Sequence, residues 1–542
     1  MFSKLTPFGR FCLIAVIVAA LGVGAYFLIP GLRQDDSGTP QKTENTGSPI
    51  KKSLFGGNSA DRYDAAIIVD TYTGWAPIVW GNGGMEGNEN SEFYKRFGVK
   101  LKILNMDDFE ACRATLRNGC PDDKKRDWNL VDPDAVMAFC TLDSYPVEAS
   151  NSGNMQGIVY FMIHNFSAGA DAIVVRSNIN TVDDLRGKKI AFSEGTASHS
   201  LLLNTLATSG IPGNEVTMVS VGYGNEVAQA FNANKVDAAV VFTPDDELCL
   251  KEVKGSKILV STRDISTLVT DGFLAKKSWV DGNSQKCKDI IQALLWANSE
   301  ITNNSAAYDE ACRSFSDNFG VPLEDVVATG KKINFATLED NANWFGFNPE
   351  YPGVTANSLY TKMCVMYGEV GLTKSPMSWQ KIGYPHYISD LIESNHIGNV
   401  QVANGTRTRT HSVPTKAMAT KPAISDKKVS IEFPVNGYTL DDNARTIIDR
   451  EFLPIAQSFN GIHIRIEGNT DNTGDYNLNM SLSEKRANAV VDYLVRMHGF
   501  DRNQFITVGN GPKHAIADGI KGYNQAYRNT SIQLVRDDET SK

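Results

Sequence analysis

The chain has 542 residues, more than one hydrophobic core accommodates, so about two to four domains are expected. Hydrophobic residues make up 42% and charged residues 21%, the balance of ordinary globular protein. The net charge of −9 argues against a nucleic-acid partner, which would require a basic face.

Phe11 to Pro30 is uncharged and about long enough to cross a bilayer. Lys4 and Arg10 precede it, which predicts a short cytoplasmic N-terminus and export of the rest. A cleaved signal peptide would need a small-residue site such as Val23-Gly24-Ala25. The apolar run continues past that point through Tyr26 to Ile29, which favours an uncleaved inner-membrane anchor. Cys12 opens this run, whereas a lipidation cysteine would follow it. Residues 31–60 are rich in Gly, Ser, Thr, Asp, Asn and Lys and read as a tether. Such a coil has an r.m.s. span of roughly 30 Å and a stretched reach of about 100 Å.

Residues 61–393 read as a folded region. Ala65 to Val69 is a buried strand followed by a loop from Asp70 to Pro77. Thr181 and Asp184 cap a short turn that Gly187 ends. Ile190 to Phe192 is a strand, and Ser193 to His199 leads into a helix bearing Leu201, Leu202 and Leu206, ended by Gly210. Asn225 caps a helix with Val227, Ala230 and Phe231 on one face, and Val236 to Phe242 is a strand. Repeated β–α–β units imply a mainly parallel sheet with binding loops at the carboxyl ends of its strands. Gly81-Asn-Gly-Gly84 lacks the Lys-Ser/Thr ending of a phosphate loop. His164 and His199 read as ordinary hydrogen-bonding residues rather than ligands.

The stretches TYTGWAPIVW, GADAIVVRSNINTVDDLRGKKIAFSEGTASHSLL, NEVAQAFNANKVDAAVVFTPDD and DGFLAKKSWV resemble, in order, periplasmic solute-binding proteins of the nitrate, sulfonate/taurine and thiamine-precursor group, the substrate-binding components of ABC transporters. The resemblance implies two α/β lobes around a cleft with hinge strands between them. It implies ligand contacts from Thr71, Tyr72 and Trp75 after the first strand, and from Ser193, Gly195, Thr196 and Ser198 at a helix start in the second lobe. Free N–H groups there favour an anionic solute. Trp75 is equally a core aromatic, and Ser193 to Ser198 equally a plain helix cap. Asp143 either faces the cleft or caps a turn.

Residues 394–428 have few aliphatics and no period and read as a second tether. A last domain follows at 429–538. Val429 to Phe433 alternates and reads as a strand, residues 440–459 as a helix, and Ile462 to Ile466 as a second strand. Ser481 with Glu484 forms a capping-box pattern for a further helix that Gly499 ends. Strands are expected at 504–508 and 530–535, giving two helices on one sheet. The stretch GNTDNTGDYNLNMSLSEKRANAVVDYL resembles the central motif of the OmpA-like peptidoglycan-binding family. That resemblance implies a site for the diaminopimelate of the stem peptide, with Arg486 forked onto its carboxylate, Asp471 accepting from its ammonium, and Thr470 and Asn479 lining the pocket. The alternative is a plain Asp471–Arg486 salt bridge. Asn469 stands where the family has His. Tyr527-Arg528-Asn529 stands where it has Asn-Arg-Arg, so only Arg528 remains on that edge.

Eight cysteines contain no CxxC pair and no zinc-like spacing with His, so neither metal nor cofactor is expected. Outside the membrane segment the count is odd. In an oxidising compartment some should pair, Cys112 with Cys120 or Cys140 by proximity.

The overall expectation is an α/β protein: a two-lobed clamshell, a small OmpA-like domain and one N-terminal transmembrane helix. Its function would be solute binding or sensing in the periplasm, with partners in peptidoglycan, a small solute and a membrane permease. A passive membrane-to-wall linker with a degenerate clamshell is the alternative. An enzyme is disfavoured because no nucleophile–base pair emerges, and a wall-anchored motor subunit because Phe11 to Pro30 holds no acid.

Overall fold

The computed structural model describes residues 62–119, 129–150, 155–222, 225–394, 396–397, 400–401, 411–434 and 436–536. The apolar segment Phe11 to Pro30, the first tether, Cys12 and Cys120 lie outside them. Among the described residues no helix is long and apolar enough to cross a membrane.

Two sheets form the clamshell. In chain order, β1 (Ala65–Val69), β2 (Leu101–Asn105), β3 (Val136–Thr141) and β4 (Ile158–Ser167) build the first lobe. The chain then crosses into the second with β5 (Asp171–Val175), β6 (Lys189–Ser193), β7 (Thr217–Val221), β8 (Ala238–Phe242) and β9 (Lys257–Ser261). It returns through β10 (Thr270–Lys276) and β11 (Ile333–Phe335). The first sheet has the order β11-β4-β10-β3-β1-β2 and the second β7-β6-β8-β5-β9.

Both sheets are mixed, which corrects the mainly parallel expectation. The β–α–β units do pair in parallel: β1 with β2 and β3, and β6 with β7 and β8. The strands adjoining the crossings run against them. β10 is antiparallel to β3 and β4, and β5 to β8 and β9, because a chain that leaves one lobe and comes back must reverse direction.

The two crossings are stapled to each other. Ser167 Oγ and Thr262 Oγ1 are 2.7 Å apart, Gly169 N–H donates to Thr262 Oγ1 at 2.9 Å, and Thr262 N–H donates to the Asp171 carbonyl at 2.9 Å. All three pairings link one crossing to the other, so this is where a closing motion would pivot.

A short strand pair, β12 (His396–Ile397) with β13 (Val400–Gln401), follows the clamshell. The C-terminal domain is a four-stranded sheet of order β14-β17-β15-β16, from β14 (Ser425–Val429), β15 (His463–Asn469), β16 (Phe505–Gly511) and β17 (Thr530–Val535). β14 begins inside the span read as tether, ahead of the strand expected at Val429 to Phe433. Its five residues pair with β17, while Ile431 to Phe433 diverge to wall a cavity. The helix expected over 440–459 is two, Asp442–Glu451 and Leu453–Ser458, with Pro454 in the first turn of the second. The long helix Tyr476–His498 starts earlier than Ser481: Asp475 Oδ1 accepts from Leu478 N–H at 2.8 Å and is the true cap. Gly499 ends it in the left-handed conformation, φ 74°, as expected.

Gly468 is the close-approach point of this domain. A Cβ there would lie 2.1 Å from the Ser483 carbonyl oxygen, so only glycine lets β15 sit against the long helix. Gly468→Ala is expected to cost about 1–3 kcal/mol by overpacking. A lowered urea midpoint, followed by circular dichroism, checks it; an unchanged midpoint would show that the helix shifts freely.

The C-terminal domain is docked onto the clamshell. Arg536 donates to Asp264, between β9 and β10, at 3.0 and 2.5 Å, and Gly461 N–H donates to the Asp264 carbonyl at 3.1 Å. Asn460 Oδ1 accepts from Ser266 Oγ at 2.9 Å, and Lys362 bridges Asn204 and Ser458 at 2.6 and 3.1 Å.

Six described cysteines, Cys112, Cys140, Cys249, Cys287, Cys312 and Cys364, carry free thiols, so the Cys112–Cys140 pairing is not formed. Burial pushes the Cys112 thiol up to about 11 and lowers its reactivity.

Candidate functional site

A cavity of about 430 Å³ opens between the lobes. Asp70 and Thr141 enter from the carboxyl ends of β1 and β3, Ser193 to Ser198 and Phe242 from the ends of β6 and β8, and Asp171 from the first crossing. Loops at the carboxyl ends of parallel strands converge because the β–α–β wind places them all on one side of the sheet. The helix Phe109–Asn118 adds Arg113 and Arg117, and Glu148 faces them.

The helix Ala197–Thr208 starts at this cavity without a side-chain cap on its first N–H groups. The hydroxyls of the lead-in loop are turned onto the protein instead. Ser193 Oγ donates to the Gly222 carbonyl at 3.0 Å, Thr196 Oγ1 to the Ser193 carbonyl at 2.8 Å, and Ser198 Oγ to the Val240 carbonyl at 2.7 Å. They fix the loop and leave the first N–H groups of the helix without a side-chain cap. Ser193, Gly195, Thr196 and Ser198 therefore stand where the sequence placed them, in the cavity wall.

The first-lobe residues do not. Trp75 is wholly buried, stacked on His164 at 5.4 Å between centroids, with its Nε1 donating to Asp70 Oδ1 at 2.7 Å. It is a core aromatic. Thr71 is exposed and bonds Asp107 through N–H and Oγ1 at 2.7 and 2.9 Å. Tyr72 is half-buried, edge-on to Trp75 at 6.3 Å. Asp143 is fully buried and receives the Thr270 N–H at 3.4 Å. None of these four lines the cavity. Sequence reasoning missed their neighbours Asp70, Arg113, Glu148 and Asp171. The available signals were an acid opening the apolar run of β5 and an arginine among the apolar residues of a helix.

Burial raises the carboxyl of Asp171 from 3.8 to about 6, against the Ser167 hydroxyl bond that lowers it. It likewise raises Asp70 to about 6, Asp143 to about 7, and Asp271 well above the usual range. An acid raised in the folded state contributes stability that is complete below its unfolded pKa and is lost as pH rises through about 6. Asp171→Asn is expected to raise the melting temperature above pH 6, worth up to about 3 kcal/mol, and to leave it unchanged near pH 4. Calorimetry at the two pH values checks this; equal shifts at both would refute it.

In the C-terminal domain a cavity of about 220 Å³ is lined by Phe433, Asn469, Arg486, Tyr523, Arg528 and their neighbours. Arg486 projects from the long helix. Its Nε donates to the Gly437 carbonyl at 3.0 Å, Nη2 reaches the Pro434 carbonyl at 3.4 Å, and the guanidinium lies 4.9 Å over the Phe433 ring. Among the described residues no acceptor meets its Nη1. Burial, and then Arg528, pull its pKa down to about 10, so it remains charged at neutral pH. Arg528 stacks over Tyr523 at 5.6 Å and stands 4.0 Å from Asp471 Oδ2.

Asp471 and Arg486 thus do not pair, and Asp471 does not line the cavity. It is 2% exposed and holds its loop, accepting from Thr473 N–H and Asn524 N–H, each at 3.2 Å, and from the Thr473 hydroxyl. Thr470 Oγ1 donates to the Asp471 carbonyl at 3.0 Å and Asn479 Nδ2 to the Thr473 carbonyl at 2.7 Å, so both support the same loop from outside the cavity. The expected acid-and-guanidinium pair is replaced by two guanidiniums sharing one cavity, the outer backed by Asp471. Asn469, in place of His, is in the wall and donates to Asn529 Oδ1 at 3.0 Å.

Residues 432–528 match the OmpA family model, and residues 159–307 match the NMT1/THI5 like model. The C-terminal domain is an OmpA-family domain. It is joined to an NMT1/THI5-like solute-binding domain, the whole being mixed α/β and two-lobed with the OmpA domain at its end. A curated relative, the "Putative aliphatic sulfonates-binding protein" of Escherichia coli (strain K12), is 29% identical over 162 residues, 30% of this chain and 48% of that protein. The chain spans about half the length of the curated relatives it matches. The solved periplasmic aliphatic sulphonate binding protein from Escherichia coli aligns at 18% identity and a TM-score of 0.45, covering 59% of this chain and 97% of that one. The periplasmic nitrate-binding protein from Synechocystis PCC 6803 aligns at 14% identity and a TM-score of 0.46, covering 72% and 99%.

Proposed function

We propose that this chain is a solute-binding protein of the periplasm held non-covalently to the cell wall by its OmpA-family domain. The observation that carries the wall attachment is the pair Arg486 and Arg528 in one cavity, with no acceptor for Arg486 Nη1 among the described residues. A planar fork of this kind takes a carboxylate in two parallel hydrogen bonds. The free carboxylate of a diaminopimelate stem peptide has the chemistry to enter it. Asp471 keeps Arg528 and the loop in position.

The solute-binding reading rests on the interlobe cavity and the crossings at its base. Its hydroxyls support binding rather than catalysis: those of Ser144, Ser193 and Ser198 donate to backbone carbonyls, and no histidine lines the wall among the described residues. The start of the helix Ala197–Thr208 is the place for an anionic group of the solute, in keeping with the sulfonate and nitrate named for the relatives. The N-terminal apolar segment would fix the other end of the chain in the inner membrane, and a permease would receive the solute.

Sedimentation of the purified chain with murein sacculi tests the wall attachment. It is expected to pellet with the sacculi and to be released by free meso-diaminopimelate. A chain that stays in the supernatant removes the wall from its function.

A further inference from the structure

We propose that the solute carries a protonated amine, seated on the hinge side of the interlobe cavity between Asp171 and Asp70. This rests on the solute-binding reading above and names a chemical class for its ligand.

Asp171 is the first residue of β5, where the first crossing enters the second lobe. It is 7% exposed and lines the cavity. Its Oδ2 accepts from Ser167 Oγ at 2.7 Å; among the described residues no donor meets Oδ1, and that atom is not among those sealed inside the protein. Asp70 approaches from the first lobe, with Oδ1 held by Trp75 Nε1 at 2.7 Å and, among the described residues, no side-chain donor on Oδ2. Asp271, near the start of β10, accepts from the Thr141 hydroxyl at 2.9 Å and is raised by burial and by the charges of Asp70 and Asp171. Two carboxyls, one from each lobe, thus line a ligand-sized space, with a third near enough to feel both.

Among the described residues the wall offers little positive charge to offset them, Arg113 lowering Asp70 only as the last of its causes. The lining holds Asp70, Glu110, Glu148, Asp171, Glu194 and Asp245 against only Arg113 and Arg117. Arg113 is consumed: Nε and Nη2 grip Glu148 at 2.5 and 3.1 Å, and Nη1 donates to the Phe139 carbonyl at 2.7 Å. Arg117 faces Glu110 at 3.7 Å. A buried carboxylate without a counter-charge is costly, and burial accordingly raises both acids to about 6. An ammonium group brings three donors and the missing charge, so it fills the unmet oxygens and favours the ionised acids. The start of the helix Ala197–Thr208, elsewhere in the lining, has the other sign, so a solute with an amine at one end and an acid at the other satisfies both.

Calorimetric titration of the whole chain with three probes of one length, 4-aminobutyrate, butyrate and butylamine, tests this. At about pH 7.5 the two amines are expected to bind at least tenfold more tightly than butyrate. Asp171→Asn should weaken the amines tenfold or more and leave butyrate unchanged. Asp70→Asn, on the other lobe, should do the same, which guards against a folding defect in either variant. Lowering the pH to about 5 should weaken amine binding by tenfold or more, as the acids take up protons. Butyrate binding as tightly as the amines, or amine binding indifferent to both substitutions, overturns the amine site and leaves solute binding standing. Silence from all three at about 10 mM also overturns it. In that case a periplasmic extract that raises the melting temperature keeps the broader reading, and one without effect removes both.

Discussion

Arg113→Ala is expected to destabilise the first lobe by about 3 kcal/mol, the largest stability loss of any polar substitution in the cavity wall. Arg113 is 4% exposed, yet every arm of its guanidinium is used: two on Glu148, one on the Phe139 carbonyl, and its faces against the rings of Phe109 and Phe139 at 5.7 and 5.4 Å. Truncation leaves Glu148 a carboxylate without its partner and the Phe139 carbonyl without its donor. The penalty is therefore chiefly the stranded groups and not the lost attraction. The double variant Arg113→Ala with Glu148→Ala should recover part of the loss, since it removes the stranded acid as well. Urea unfolding followed by tryptophan fluorescence reads both. A double variant no better than the single one would show that packing on the two phenylalanines, and not charge, dominates.

Arg486→Ala is expected to abolish most retention on murein. Removing one partner of a desolvated, charge-assisted contact costs about 2–5 kcal/mol, which is roughly 30-fold or more in affinity. Arg486→Lys keeps the charge but loses the planar fork, so it should fall between the two, nearer the alanine variant. The cation also braces Gly437 and Pro434, so circular dichroism must accompany the binding measurement. Full retention by a folded Arg486→Ala chain would place the wall contact elsewhere on the domain.

What the sequence showed and hid follows from how far each feature reaches along the chain. β1 was legible because five apolar residues in a row, Ala65 to Val69, are buried on both faces of a sheet. The loop from Ser193 to Ser198 was legible because a strand running into an uncapped helix start is a local pattern. Ser481 and Glu484 misled because the same capping pattern occurs inside a helix that Asp475 had already begun. The mixed sheets and the acid cluster were hidden because they depend on the two crossings meeting: Asp171 and Asp271 are far apart in sequence, and only the return of β10 beside β4 brings them to one site. Asp471 and Arg486 come from neighbouring elements and were expected to face each other. Arg528, expected on the edge of the site, stands 4.0 Å from Asp471 in place of the missing partner, a pairing that no local pattern announces.

The seat of Arg536 on Asp264 has a mechanical consequence. Asp264 belongs to the segment joining β9 to β10, one of the two threads about which the halves would swing. A swing must then either carry the OmpA-family end of the molecule along or tear Arg536 loose. Were that end held by the wall as proposed, tension on it and occupancy of the cleft would bear on the same few residues, and each would set part of the work required by the other.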